Sequence, residues 1–178
     1  MKNSVDRPFF KYLAYLLVVI LIGVLQSTPK LLPEFRGGKP FLLLALALAI
    51  ASFEDFIPTV VYAAVCGVFS DLNCGGTVGY FAIAFTLVCA AIWYLAGMYL
   101  NATLFTFIIT SAAAIAAVLG VFFLMFRLTL GVEDPGALFV SHYLPRMGIT
   151  LLCAVPLYFL IWFLHNSFTA KQAFLRDK

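Results

Sequence analysis

Residues 63–79 read A-A-V-C-G-V-F-S-D-L-N-C-G-G-T-V-G, and the fold can be worked out from this stretch. In a helix, Gly67 and Asp71 stand one turn apart and share a face. A small residue on such a face lets two helix backbones approach closely in lipid, whereas a carboxylate there is costly in hydrocarbon. Two interpretations are open: a buried polar anchor at a contact between helices or subunits, or an ordinary helix-ending Asp before a turn that contains Gly75 and Gly79.

The composition is that of a polytopic membrane protein. Of 178 residues, 64% are hydrophobic and 11% are charged, and the mean hydropathy is +1.06. A soluble domain is about 45–50% apolar and about 25% charged. The net charge of +3 is small and scattered, which argues against nucleic acid as a partner. The four cysteines contain no C-x-x-C pair and predict no metal or redox cofactor.

Long apolar runs, separated by proline, glycine and charged residues, predict an all-α fold of six transmembrane helices in one integral membrane domain, residues 1–178. The predicted helices cover residues 9–26, 40–53, 59–72, 78–99, 102–130 and 141–165. Pro40 opens the second helix, where its missing N–H is tolerated. Pro156 lies in the middle of the sixth helix and should kink it.

The second and third predicted helices are shorter than the about 20 residues that comfortably span a bilayer. They could be two short spans with local thinning of the bilayer, a re-entrant pair, or one long kinked helix. The last arrangement would place Glu54 and Asp55 at mid-membrane, so we favour two short spans joined by a tight acidic turn.

The fifth predicted helix carries a stripe of small or hydroxyl side chains at spacings of three and four. Its members are Thr103, Thr106, Thr110, Ala113, Ala117 and Gly120, with Arg127 in the same register. The stripe is interpreted as a packing face whose hydroxyls bond their own backbone, with a polar substrate path as the alternative.

An even number of spans places both termini on one side of the membrane. That side holds six basic residues, against three to five on the other, which predicts that both termini are cytoplasmic. Asp71 and Arg127 then both lie toward the outer face. We hypothesise an ion pair between them, with separate snorkelling to the head groups as the alternative.

The sequence shows no catalytic set. G-x-S-x-G, H-E-x-x-H and glycine-rich phosphate motifs are all missing, and His165 has no carboxylate nearby in the sequence. We therefore expect a protein without enzymatic activity or a cofactor.

Four features together resemble the MreD family of bacterial rod shape-determining membrane proteins. Lys39-Pro40 opens a Leu/Ala-rich helix, and an acidic turn leads into the third helix. The run G-V-F-S-D-L-N-C-G-G-T-V-G follows, and the last span contains Pro156. Cys74 stands where the family more often has Ser, and Phe41 where an acidic residue is common. The candidate residues for helix packing or partner binding are Gly67, Asp71, Gly75, Gly79, Arg127, Pro40 and Pro156.

The resemblance implies a scaffold in the bacterial inner membrane. Members bind MreC, a single-span periplasmic protein, and help to link MreB filaments to RodA and its class B penicillin-binding protein. Membrane lipids surround such a bundle. The resemblance also implies a fold similar to the substrate-binding subunits of energy-coupling-factor transporters. A small-molecule-binding subunit of a vitamin-type transporter is therefore the alternative function.

Overall fold

The computed structural model describes residues 6–28, 40–74, 79–99, 104–130 and 144–176. Within these residues the chain forms six helices and no strand, so the all-α prediction is confirmed for this part of the chain. The helices are α1 (Asp6–Ser27), α2 (Leu42–Ala51), α3 (Phe56–Cys74), α4 (Tyr80–Tyr99), α5 (Leu104–Leu130) and α6 (Leu144–Arg176). Four of them, α1, α3, α5 and α6, are long and apolar enough to cross a membrane, while α2 and the apolar part of α4 are shorter.

The observed bounds correct three predicted helices. The second helix begins after Pro40 and has only 10 residues, so the predicted range 40–53 was too long. The prediction of a short third helix was wrong, because α3 has 19 residues and accommodates Pro58 in its first turn. The sixth helix continues to Arg176 instead of ending near residue 165, and Pro156 lies within it on an exposed surface.

Helix α2 lies at the centre of the bundle. All 10 of its residues are buried, and it contacts α1, α3, α4, α5 and α6. A helix that is apolar on every side is either a core helix or a membrane span, and the burial of every residue shows that α2 is a core helix. At about 1.5 Å per residue, α2 extends about 15 Å, roughly half of the hydrocarbon thickness. Its ends therefore lie inside the protein.

The N-terminal end of α2 is completed by side chains of two other helices. The backbone N–H of Phe41 donates to Oγ1 of Thr150 at 3.1 Å, and that of Leu43 donates to Oε1 of Gln26 at 3.1 Å. Gln26 and Thr150 are both buried. The first N–H groups of a helix have no partner within the helix, and hydrocarbon offers none. Helices α1 and α6 supply the missing acceptors.

Aromatic rings pack around both ends of α2. The Phe41 ring lies 5.2 Å from that of Phe81 of α4, and the Arg146 guanidinium lies over the Phe41 ring at 3.9 Å. At the opposite end, Phe53 lies 4.9 Å from Tyr158 of α6. Such contacts add to the stabilisation from burial alone. They fix α2 between α4 and α6.

Replacing Gln26 by Met should destabilise the protein by about 1–3 kcal/mol, because the substitution keeps the length of the side chain but leaves the buried N–H of Leu43 without an acceptor. The measurement is the thermal unfolding midpoint in detergent micelles. Leu21→Met, on the exposed side of the same helix, is the control and should leave the midpoint unchanged. Equal midpoints for Gln26→Met and the unaltered chain would contradict this role of Gln26.

Candidate functional site

The carboxylate of Asp71 caps the following helix. Although it belongs to the end of α3, it accepts hydrogen bonds from two backbone N–H groups in the first turn of α4, Phe81 N at 2.9 Å and Ala82 N at 3.1 Å, and from Gly79 N just before the helix at 3.1 Å. A negative charge at a helix N-terminus satisfies orphan donors and interacts favourably with the helix dipole. Asp71 is 6% exposed, so this capping takes place inside the protein.

Two glycines make this arrangement possible. A Cβ atom on Gly67 would lie 2.5 Å from the carbonyl oxygen of Phe81 and would overlap the Cα atom of Ala82. Helix α4 therefore begins in direct backbone contact with α3. Gly79 has φ +96°, a left-handed conformation that glycine adopts without steric cost. We call Gly67, Asp71 and Gly79, together with the first turn of α4, the α3–α4 corner.

The other predicted residues have separate places. Pro40 precedes α2, and Pro156 lies on the exposed side of α6. Gly75 lies outside the described residues, as does the side chain of Arg127. Both carboxylate oxygens of Asp71 accept hydrogen bonds from the backbone of α4. The sequence did not indicate this partner of Asp71.

A second polar site lies at the opposite end of the bundle, around Glu54 in the connection between α2 and α3. Its Oε1 atom accepts a hydrogen bond from the Tyr15 hydroxyl at 2.8 Å. The same atom lies 2.5 Å from Nζ of Lys11 and 3.0 Å from Nδ1 of His165. The backbone carbonyl of Glu54 accepts the indole N–H of Trp93 at 3.2 Å. We call these five residues the Glu54 cluster.

The Glu54 cluster joins four parts of the chain. Lys11 and Tyr15 belong to α1, Trp93 to α4 and His165 to α6. Glu54 is 8% exposed, and a buried carboxylate requires such pairing. Sequence reasoning missed this site because it treated residues 54–55 only as a tight acidic turn and searched for partners of His165 only nearby in the chain. The available signal was topological, since six alternating helices bring Lys11, Glu54 and His165 to the same end.

These two sites are suited to holding helices together. In the described part of the chain, no group of three or more His, Cys, Asp or Glu residues could hold a metal ion. The carboxylate of Asp71 is engaged by backbone donors, and that of Glu54 by the Lys11 ammonium, the His165 ring and a hydroxyl. Both therefore stabilise the packing of the bundle.

The family model for rod shape-determining protein MreD matches residues 7–168 of this chain. The chain belongs to the MreD family. No curated protein and no solved structure matches it. The α3–α4 corner and the Glu54 cluster both lie within the matched residues. The family and the membrane-spanning helices together identify a multi-pass membrane protein with a role in determining rod shape. The similarity of its fold to energy-coupling-factor subunits stays a prediction.

In this MreD family member, Gly67→Ala should destabilise the protein by about 1–3 kcal/mol, because the new methyl group meets the backbone of α4, which cannot move without losing the Asp71 cap. Gly120→Ala is the matched control. A Cβ atom at Gly120 meets nothing within 4 Å, and Ala is the better helix former. Thermal unfolding in detergent compares the two variants. If both have the midpoint of the unaltered chain, α3 and α4 do not meet at Gly67.

Replacing Glu54 by Gln should destabilise the bundle by about 1–3 kcal/mol, because Lys11 and His165 then lose the negative charge that they contact. Asp55→Asn removes the same charge from the neighbouring, exposed residue and should have little effect. Adding Lys11→Met to Glu54→Gln should restore part of the loss, since no cation is then left without its partner. Equal unfolding midpoints for Glu54→Gln and Asp55→Asn would contradict the importance of the cluster.

Proposed function

We propose that this MreD family member is a non-enzymatic scaffold of the rod complex in the bacterial inner membrane. It binds MreC and helps to couple MreB filaments to peptidoglycan synthesis by RodA and its class B penicillin-binding protein. Two considerations support this function. Family membership supports a role in cell shape. The structure uses the carboxylates of Asp71 and Glu54 for internal contacts and presents apolar helix surfaces outward.

The observation that carries the proposal is an uncovered face of small residues on α5. Ala113, Ala116 and Ala117 are exposed, and the space beside Gly120 is open. We call these four residues the α5 face. Small side chains allow a second helix to approach the backbone closely, which is the main way in which helices associate in lipid. The α5 face is thus suited to a single transmembrane helix such as that of MreC.

The hydroxyl groups of α5 do not favour a polar substrate path along the same helix. Oγ1 of Thr110 donates to the carbonyl oxygen of Thr106 at 2.9 Å and also contacts that of Phe107 at 3.1 Å. Ser111 likewise donates to the carbonyl of Phe107. Hydroxyls bonded to their own backbone are those of a packing helix.

The position of α2 favours a scaffold over the vitamin-transporter alternative. A small-molecule site requires a cavity with a few convergent polar groups. In the described bundle, the centre is occupied by α2, all of whose 10 residues are apolar and buried. A close-packed centre suits a protein that acts through its outer surfaces.

The proposed orientation has both termini in the cytoplasm. The Glu54 cluster then faces the cytoplasm, where MreB filaments assemble, and the α3–α4 corner faces the periplasm. The basic residues near the two termini support this orientation.

Ala117→Leu should reduce the amount of MreC that copurifies with this protein about tenfold, since a bulkier side chain prevents close helix approach at a cost of about 1–3 kcal/mol. Ala91→Leu, at an exposed position of α4, is the matched control and should leave copurification unchanged. The two proteins are coexpressed and purified through a tag on either partner. Binding that both variants retain would exclude the α5 face, and failure of the unaltered chain to capture MreC would contradict the scaffold function.

A further inference from the structure

An open groove of about 700 Å³ runs along the outside of the bundle between α1, α3 and α4, next to the Glu54 cluster. Its walls include Tyr12, Tyr62, Trp93 and Val61, and Asp55 lies at its edge. Its position differs from that of the α5 face, which belongs to another helix. The groove is open on its outer side, so an occupant can enter from there.

The groove is polar at one end and apolar along the rest. Asp55, which is exposed, stands next to Glu54 in the connection before α3. Glu54 contacts Lys11, Trp93 and His165, so these residues lie at the same end of the bundle as Asp55. Further along α3, the exposed wall is Ile57 and Val61. A carboxylate followed by an apolar wall matches an amphipathic molecule with a cationic head and a hydrocarbon chain.

The aromatic walls are held in place by their own hydrogen bonds. The Tyr62 hydroxyl donates to the backbone carbonyl of Tyr12 at 2.7 Å, and the indole N–H of Trp93 donates to that of Glu54 at 3.2 Å. The Trp93 ring also packs at 5.2 Å from the ring of Phe56. Fixed rings beside a carboxylate form a favourable environment for an ammonium group, which is attracted to aromatic faces.

The size of the exposed side chains argues for a flexible chain as the occupant, in preference to a protein helix. Close approach of a second helix in lipid requires small residues at the contact. The exposed apolar residues of α3 along and beyond the groove are Phe56, Ile57, Val61, Val68 and Leu72, which are all bulky. An acyl chain can follow such an irregular wall, whereas a helix backbone would be kept at a distance.

We propose that this groove binds an amine-headgroup phospholipid, with phosphatidylethanolamine as the representative. Its ammonium group lies between the Asp55 carboxylate and the rings of Tyr12 and Trp93, and one acyl chain lies along Val61. A hydrogen bond between an ammonium and a carboxylate is charge-assisted and stronger than a neutral one. A phospholipid without an amine, such as phosphatidylglycerol, lacks this contact. The lipid site does not depend on the scaffold function.

Native mass spectrometry of the purified full chain in detergent tests the proposal, with phosphatidylethanolamine or phosphatidylglycerol of identical acyl chains added. We expect the unaltered chain to retain phosphatidylethanolamine about tenfold more strongly than phosphatidylglycerol, as a charge-assisted hydrogen bond predicts. Asp55→Asn should abolish this preference. Val61→Trp, which fills the groove, should reduce retention of both lipids.

Val68→Trp is the matched control. Val61 and Val68 lie on the same helix and are 52% and 50% exposed, but only Val61 lines the groove. Val68→Trp should therefore retain phosphatidylethanolamine as the unaltered chain does. Three outcomes would each overturn the proposal: equal retention of the two lipids by the unaltered chain, equal effects of the two tryptophan substitutions, or capture of a partner helix at Val61 by site-specific crosslinking in membranes. Unfolding midpoints of the variants verify that each is folded.

Discussion

The architecture depends on one constraint: a backbone N–H in hydrocarbon must find its acceptor within the protein. The constraint applies most strongly to helix α2, because this helix is too short to reach both membrane surfaces and is buried on every side. Its first donors are satisfied by Gln26 and Thr150. Helices α1 and α6 are therefore tied to the centre of the bundle by specific hydrogen bonds, in addition to the non-directional packing of apolar side chains.

The same constraint explains the position of Asp71, one of two buried carboxylates in the described residues. Asp71 satisfies the donors at the start of α4, and Gly67 allows the two helices to come close enough for that hydrogen bonding. Glu54 instead gathers Lys11, Tyr15 and His165 at the other end of the bundle. One carboxylate joins neighbouring helices, and the other joins helices that are distant in the chain. Together they stabilise both ends of a bundle whose middle is apolar.

These polar groups are directed inward. Two regions of the outer surface, the α5 face and the groove beside α3, therefore differ mainly in the size of their side chains. The α5 face consists of Ala and Gly and permits close approach of a helix backbone. The groove beside α3 is lined by aromatic and β-branched residues and ends at Asp55. The α5 face, with its small side chains, is thus suited to a protein partner. The groove, with its bulky side chains and the charge of Asp55, is suited to a lipid.

The sequence by itself determined the all-α membrane class, the family and the shared face of Gly67 and Asp71, because composition and helical periodicity are local properties. The sequence left open which groups Asp71 contacts, and it did not indicate the partners of Glu54. Those answers required the tertiary structure, since Tyr15 and His165 lie 39 and 111 residues from Glu54 in the chain and meet it only after the helices pack. The length and burial of α2 were likewise decided by packing, because a run of Leu and Ala is compatible with a lipid-facing span or with a core helix until its neighbours are in place.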